Sequence, residues 1–170
     1  MRLRTAWPRH RSLARAWLTL LGGIGGFLLF QPFLFFVGFI QWANEMTAHL
    51  LSLALRLLGH SSSAEGAVMR SELFSLEIVF ECTAILPLVL FVAAVAATPS
   101  QAKAKLWALA WGLPALMLFN LVRLVSLVYL GHFLPRAFET VHLFVWQPLI
   151  VLFALALWLL WVERQRARFL

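Results

Sequence analysis

Cys82, Arg123 and His142 are the residues of this chain that could do chemistry together. A thiol, a guanidinium and an imidazole supply a nucleophile, a fixed positive charge and a proton carrier. Thiol-based acyl transfer needs those three. Cys82 stands at the mouth of one apolar run, His142 at the mouth of another, and Arg123 inside a third, seven residues before its outer end. At 1.5 Å rise per residue that is about 10 Å deep, and a long side chain stretches toward the nearer interface. Cys82 is the sole cysteine, so an intrachain disulfide and a multi-cysteine zinc site are both excluded.

Each residue also has a plain structural reading. A free cysteine can be inert packing, and an interfacial histidine a solvated boundary group. Arg123 is harder to dismiss, because a charge inside a span costs about 2.5–3.5 kcal/mol on insertion scales. Its neighbours Leu121, Val122, Leu124 and Val125 offer no solvated face. Its structural reading is a pair with a glutamate or a helix C-terminus.

Asn120 and Ser126 lie three residues either side of Arg123, on one side of a helix and within expected reach of its guanidinium. Glu81 and Glu139 are the expected partners from above. Trp146, one turn from His142, is expected to pack under the imidazole. Glu77 joins Asn120, Ser126, Glu81 and Trp146 as expected supporting or substrate-binding residues. In the chemistry this suggests, His142 takes the Cys82 proton or holds it as a thiolate–imidazolium pair, with Arg123 lowering the thiol pKa. The thiolate attacks a peptide carbonyl, Arg123 stabilises the oxyanion, and His142 protonates the leaving amine. One such donor in a low-dielectric pocket is worth ~3–4 kcal/mol.

The elements that must position these groups are membrane spans. Hydrophobic residues make up 62% of the chain and charged ones 12%, against about 25% charged in a soluble domain. The expectation is one integral membrane domain over residues 1–170, an all-α bundle of four spans near 16–40, 83–97, 106–130 and 142–161, with an outer segment 41–82. The N-terminal apolar run is too long for a signal-peptide core and has no small-residue cleavage site, so it reads as a retained anchor.

Net charge is +7, and ten of the fourteen basic residues sit in three places: Arg2, Arg4, Arg9, Arg11 and Arg15; Lys103 and Lys105; Arg164, Arg166 and Arg168. The positive-inside rule puts those places, and both termini, in the cytoplasm. Glu65, Glu72, Glu77, Glu81 and Glu139 then face outward, with Glu163 inside. Nothing interleaves base-stacking aromatics with a basic patch, so nucleic acid is not an expected partner. No metal or cofactor is expected.

Finer features follow from local pattern. Gln31-Pro32 should kink span one, and Gly22, Gly23, Gly25 and Gly26 allow close packing. Residues 41–58 read as an interfacial amphipathic helix. Residues 59–66 read as a polar turn region. Residues 74–82 alternate with period two and read as a strand, with 66–69 as its hairpin partner and a turn near Arg70-Ser71. Pro87, Pro114 and Pro148 should bend spans two, three and four and could open a lateral gate. Trp7, Trp17, Trp42, Trp107, Trp111, Trp158 and Trp161 read as interfacial anchors.

The order of cysteine, Asn-x-x-Arg and histidine, each near the outer end of a span, resembles the exosortase/archaeosortase family. The blocks are Glu81-Cys82-Thr83-Ala84-Ile85, Asn120 to Leu127, and Val141-His142-Leu143-Phe144-Val145-Trp146-Gln147. The strand Phe74-Ser75-Leu76-Glu77-Ile78 fits as well, and the short length with Tyr129-Leu130-Gly131 looks most like exosortase H. The resemblance covers about residues 66–161. It implies a cysteine transpeptidase or protease of the bacterial inner membrane, with its site facing the periplasm. Its substrates would be exported proteins carrying a short C-terminal motif, a transmembrane helix and a basic tail. The product would pass through a thioacyl-enzyme to an acceptor nucleophile. It implies Cys82 as nucleophile, Arg123 as transition-state stabiliser and His142 as acid/base. Many members have glycine two positions after the cysteine; here that place is Ala84, which implies a changed substrate fit.

Two other classes compete. Outer-side histidines (His49, His60, His132, His142) could hold a haem in a helical membrane protein. Alternatively, Arg123 could dock another span in a non-catalytic assembly partner. Within enzymes, water as acceptor shares the same thioacyl step.

Overall fold

The computed structural model describes residues 10–36 and 38–167. Arg2, Arg4, Trp7, Arg9 and Arg168 lie outside them. The chain runs α1 (His10–Phe36), α2 (Phe39–Leu57), β1 (Ser62–Glu65), β2 (Val68–Ser71) and β3 (Leu76–Glu77). A 3-10 turn (Phe80–Cys82), α3 (Ile85–Ala97) and α4 (Ala102–Phe133) follow, then a 3-10 turn (Pro135–Ala137), α5 (Phe138–Val141), a π-turn (His142–Trp146) and α6 (Gln147–Ala167).

Among the described residues two stretches are long and apolar enough to cross a bilayer: Ala102–Phe133 and Pro135–Gln165, with mean hydropathy 1.9 and 2.3. Only 33% and 17% of their most apolar windows are buried inside the protein. The rest of that apolar surface faces outward, unlike a soluble core helix. α3 has 13 residues, about 20 Å at 1.5 Å per residue, short of a bilayer core of about 30 Å.

Two cores hold the fold together. One joins α3 (Phe91, Val95), α4 (Ala108, Leu116) and α6 (Ala154, Leu157, Trp161). α3 and α4 approach so closely that a Cβ at Gly112 would run into the Phe91 ring. The other core packs α2 (Ala48, Leu51, Leu55) and the sheet (Met69, Leu76) with Ile78 and Cys82 onto the later half of α4 (Leu124, Leu127, Val128). α4 serves both because its buried residues Ala108, Gly112, Leu116, Asn120, Leu124 and Val128 recur every four positions, forming one stripe.

The outer segment differs from expectation in detail. α2 matches the expected amphipathic helix, burying Ile40, Ala43, Thr47, Leu51 and Leu55 at helical spacing. The expected hairpin is a three-stranded antiparallel sheet, ordered β1-β2-β3. β1 lies within the segment read as a turn, tied to α2 by Arg56 Nε donating to Ser62 O at 2.9 Å and Ser62 Oγ donating to Ser52 O at 2.8 Å. Val68 and Met69 pair with Glu77 and Leu76 as expected, but the turn comes later, closed by Ser71 and Phe74.

Residues 80–82 are a 3-10 turn, not strand: the chain must swing into α3, and the Cys82 and Thr83 N–H groups bond back to Val79 and Phe80. Period-two burial persists through this stretch regardless, with Leu76, Ile78 and Cys82 in and Ser75, Glu77, Val79 and Glu81 out. The sheet is pinned to α4 by His60, which contacts Tyr129 Oη at 2.7 Å and Glu72 at 3.1 Å. The Phe74 ring lies over Gly131, where a Cβ would come within 2.7 Å.

α1 stays helical past Gln31-Pro32, and the break comes at Gly38, whose φ is 73°. Among the four early glycines only Gly23 meets a neighbour, Ala93 of α3. The expected loop 131–141 shrinks to Leu134, since helical turns fill the rest. Pro87 falls in the first turn of α3 and Pro148 is the second residue of α6, so of these three Pro114 alone sits in a helix interior. Trp161 is buried rather than interfacial, and Trp158 donates to Thr98 Oγ1 at 2.9 Å.

Candidate active site

The sheet, the 3-10 turn and α4 converge on Cys82. Its side chain is 3% exposed and belongs to the outer core, so it does not face lipid. Asn120 Nδ2 donates to the Cys82 carbonyl at 2.8 Å. Arg123 Nη1 donates to the Glu81 carbonyl and to Asn120 Oδ1, each at 3.2 Å. The Cys82 turn is therefore clamped to the Asn-x-x-Arg face of α4 by two hydrogen bonds, and a third braces Arg123 against Asn120 within the helix.

Arg123 is 1% exposed. Among the described residues its Nε and Nη2 have no hydrogen-bond partner. Buried donors are nearly always satisfied, and leaving one bare costs about 1–3 kcal/mol, more for a charged group. Arg123 also borders a small cavity of about 50 Å³, together with Glu81, Ala84 and Gln147. The clamp thus uses one nitrogen and leaves two buried donors beside a cavity.

Burial pushes the Cys82 thiol above its ordinary range. A backbone bond at Val79 and the Arg123 charge pull it down, and Glu81 adds to the rise. Arg123 thus acts on the thiol in the direction the sequence suggested, and burial outweighs it.

His142 opens the π-turn, closed by the Gln147 N–H to the His142 carbonyl. Residues five apart in an α-helix diverge; the wider turn brings His142 and Gln147 toward one side. Arg123, Glu81 and Glu139 lie close enough to act on the His142 charge. Among the described residues its buried Nδ1 has no partner, and its ring stacks on Phe138 at 6.1 Å and 10°.

The supporting residues divide. Asn120 holds both the cysteine turn and the arginine. Ser126 Oγ donates to the Arg123 backbone carbonyl at 2.7 Å, so it supports the helix rather than the guanidinium. Glu81 contributes its carbonyl, not its carboxylate. Among the described residues neither Glu81 nor Glu139 forms an ion pair with Arg123. Glu77 points to the exposed side of β3, paired with Val68. Trp146 packs edge-on against Phe119 at 5.9 Å, not under the imidazole. Gln147 and Phe138 were not anticipated at the site; an amide in an apolar run was the available signal for Gln147.

Ala84 stands in the left-handed region, φ 58°, at the N-cap of α3. That conformation costs an L-residue about 1–2 kcal/mol, which glycine avoids. Ala84→Gly is expected to raise unfolding stability by about 0.5–1 kcal/mol, the relief being partly offset by backbone entropy. A thermal melt of the purified protein in detergent checks this; a lowered midpoint would refute the strain.

A family model described as "Transmembrane exosortase (Exosortase_EpsH)" matches residues 9–162, and the chain belongs to that family. The resemblance to exosortase H is consistent with it. No curated protein and no solved structure matches.

Proposed function

We propose that this transmembrane exosortase is a cysteine transpeptidase that cleaves the C-terminal sorting signal of exported proteins. The carrying observation is the pair of bare, buried Arg123 donors beside Cys82. Such donors suit an oxygen that becomes negative as a carbonyl is attacked.

Substrate entry brings a peptide carbonyl against these donors. The Cys82 proton passes to His142, whose Nδ1 is bare, and the sulfur attacks the carbonyl carbon. Burial holds the thiol above its ordinary range until that moment. Arg123 then holds the oxyanion, His142 gives its proton to the leaving amine, and a thioester remains on Cys82. His142 next takes a proton from the acceptor, which attacks the thioester and regenerates the thiol.

The proposed topology has four crossings, α1, α3, α4 and the α5–α6 stretch, with both termini cytoplasmic and the site periplasmic in a bacterial inner membrane. Lys103 and Arg164 border one cavity at the end of the bundle away from Cys82, which fits the positive-inside rule. α2 would lie at the outer interface, with Trp42, Leu50, Leu53 and Leu57 exposed to lipid.

The test is a trap. A peptide ending in the cognate motif should leave its N-terminal fragment on Cys82, seen by mass spectrometry and released by hydroxylamine. Turnover with no adduct on Cys82 under acid quench would refute the thioacyl step.

A further inference from the structure

At the end of the bundle remote from Cys82 lies a cavity of about 790 Å³. Twenty residues of α4 separate Lys103 from Arg123, about 30 Å at helical rise, so this cavity takes no part in the thiol chemistry. It is bordered by Ser100, Lys103, Trp107, Trp111, Trp161 and Arg164. Among the described residues no carboxylate borders it.

Its polar groups are unusual in one respect. Trp161 is 1% exposed, yet its indole N–H has no partner among the described residues. The Trp111 N–H and the Ser100 hydroxyl are buried and bare as well. A buried indole N–H usually finds an acceptor, and at this same end of the bundle Trp158 does so at Thr98. Indole N–H groups only donate, so whatever satisfies Trp111 and Trp161 must carry acceptor oxygens. The Lys103 and Arg164 side chains, both exposed, have no ion pair or hydrogen bond among the described residues. The first turn of the 32-residue α4 also borders the cavity, and its positive end favours an anion.

We propose that this cavity binds the phosphate headgroup of an anionic phospholipid from the surrounding leaflet. Among the described residues two cations, two tryptophans with bare indole N–H groups and a helix start border it, and no carboxylate does. Phosphate supplies the negative charge and the several acceptor oxygens this set requires. The lipid is favoured over free phosphate by the rim: Leu106 and Trp107 are 67% and 60% exposed on the apolar outer surface of α4. The volume far exceeds a bare phosphate and admits a headgroup with its glycerol. Bound there, the lipid would tie α4 to α6 at the basic end of the bundle.

The test is native mass spectrometry of the full chain in neutral detergent, titrated with phosphatidylglycerol, phosphatidylcholine or inorganic phosphate. Phosphatidylglycerol is expected to bind about tenfold or more tightly than phosphatidylcholine, from about 1 kcal/mol for each basic residue. The Lys103→Gln/Arg164→Gln double variant alters only exposed side chains and should erase that preference. Trp161→Phe should weaken phosphatidylglycerol binding while keeping the wild-type circular dichroism. Equal affinity for the two lipids, or a preference that survives the double variant, would overturn the proposal. Binding of inorganic phosphate with no gain from phosphatidylglycerol would overturn the lipid source.

Discussion

Arg123→Lys is expected to cut processing of a sorted substrate about 100- to 1000-fold while the protein still folds and inserts. The positive charge survives this change, so a purely electrostatic role would leave most of the rate. The geometry asks for more. One arginine nitrogen holds the Glu81 carbonyl and Asn120 Oδ1 at 3.2 Å each, and two others are buried and bare. A planar fork can clamp the cysteine turn and present donors to a substrate oxygen at the same time. A lysine ammonium is a single point on a flexible stem and must choose. The loss should fall on kcat more than on KM, because the donors act on charge that develops in the transition state. Activity within about tenfold of wild type would reduce Arg123 to a structural clamp.

Cys82→Ala is expected to abolish processing, with no thioester formed, at a stability cost of about 1 kcal/mol for one buried atom lost. Cys82→Ser should be equally inactive and less stable. The site is 3% exposed, and a hydroxyl placed there without an acceptor costs about 1–3 kcal/mol, where a thiol tolerates apolar neighbours. The alanine variant is therefore the better substrate trap. Processing above background in Cys82→Ala, measured in cells lacking other sorting enzymes, would remove the nucleophile from the scheme.

The candidate site was legible in the chain to different depths. Asn120 and Arg123 at a spacing of three on one helix face had to lie together, and they do. Cys82 was legible as an inward position because burial alternates along residues 74–82, even though only Leu76–Glu77 pairs as β3. Glu81 misled because a sequence displays side chains, whereas the group that binds Arg123 is its backbone carbonyl. Ser126 misled for a similar reason: a helical serine can bond backward to its own turn, and it does so to the Arg123 carbonyl. Trp146 misled because its contact, Phe119, belongs to another helix.

What the sequence by itself determined is local and compositional. Hydropathy announced the long apolar helices, helical periodicity delivered α2 nearly to the residue, and the placement of basic groups marked one end of the bundle. These depend on each segment's own pattern and on its solvent, so no partner need be known. The tertiary structure decided what depends on distant segments meeting. It put the Cys82 turn, rather than a glutamate, against Arg123, and it left two donors of that guanidinium bare. It closed the π-turn at His142, set Ala84 into the left-handed region, and buried two indole N–H groups beside Lys103 and Arg164. Each of these is a matter of which hydrogen-bonding group finds which partner in a packed interior, and residues far apart in the chain settle that only when they are brought together.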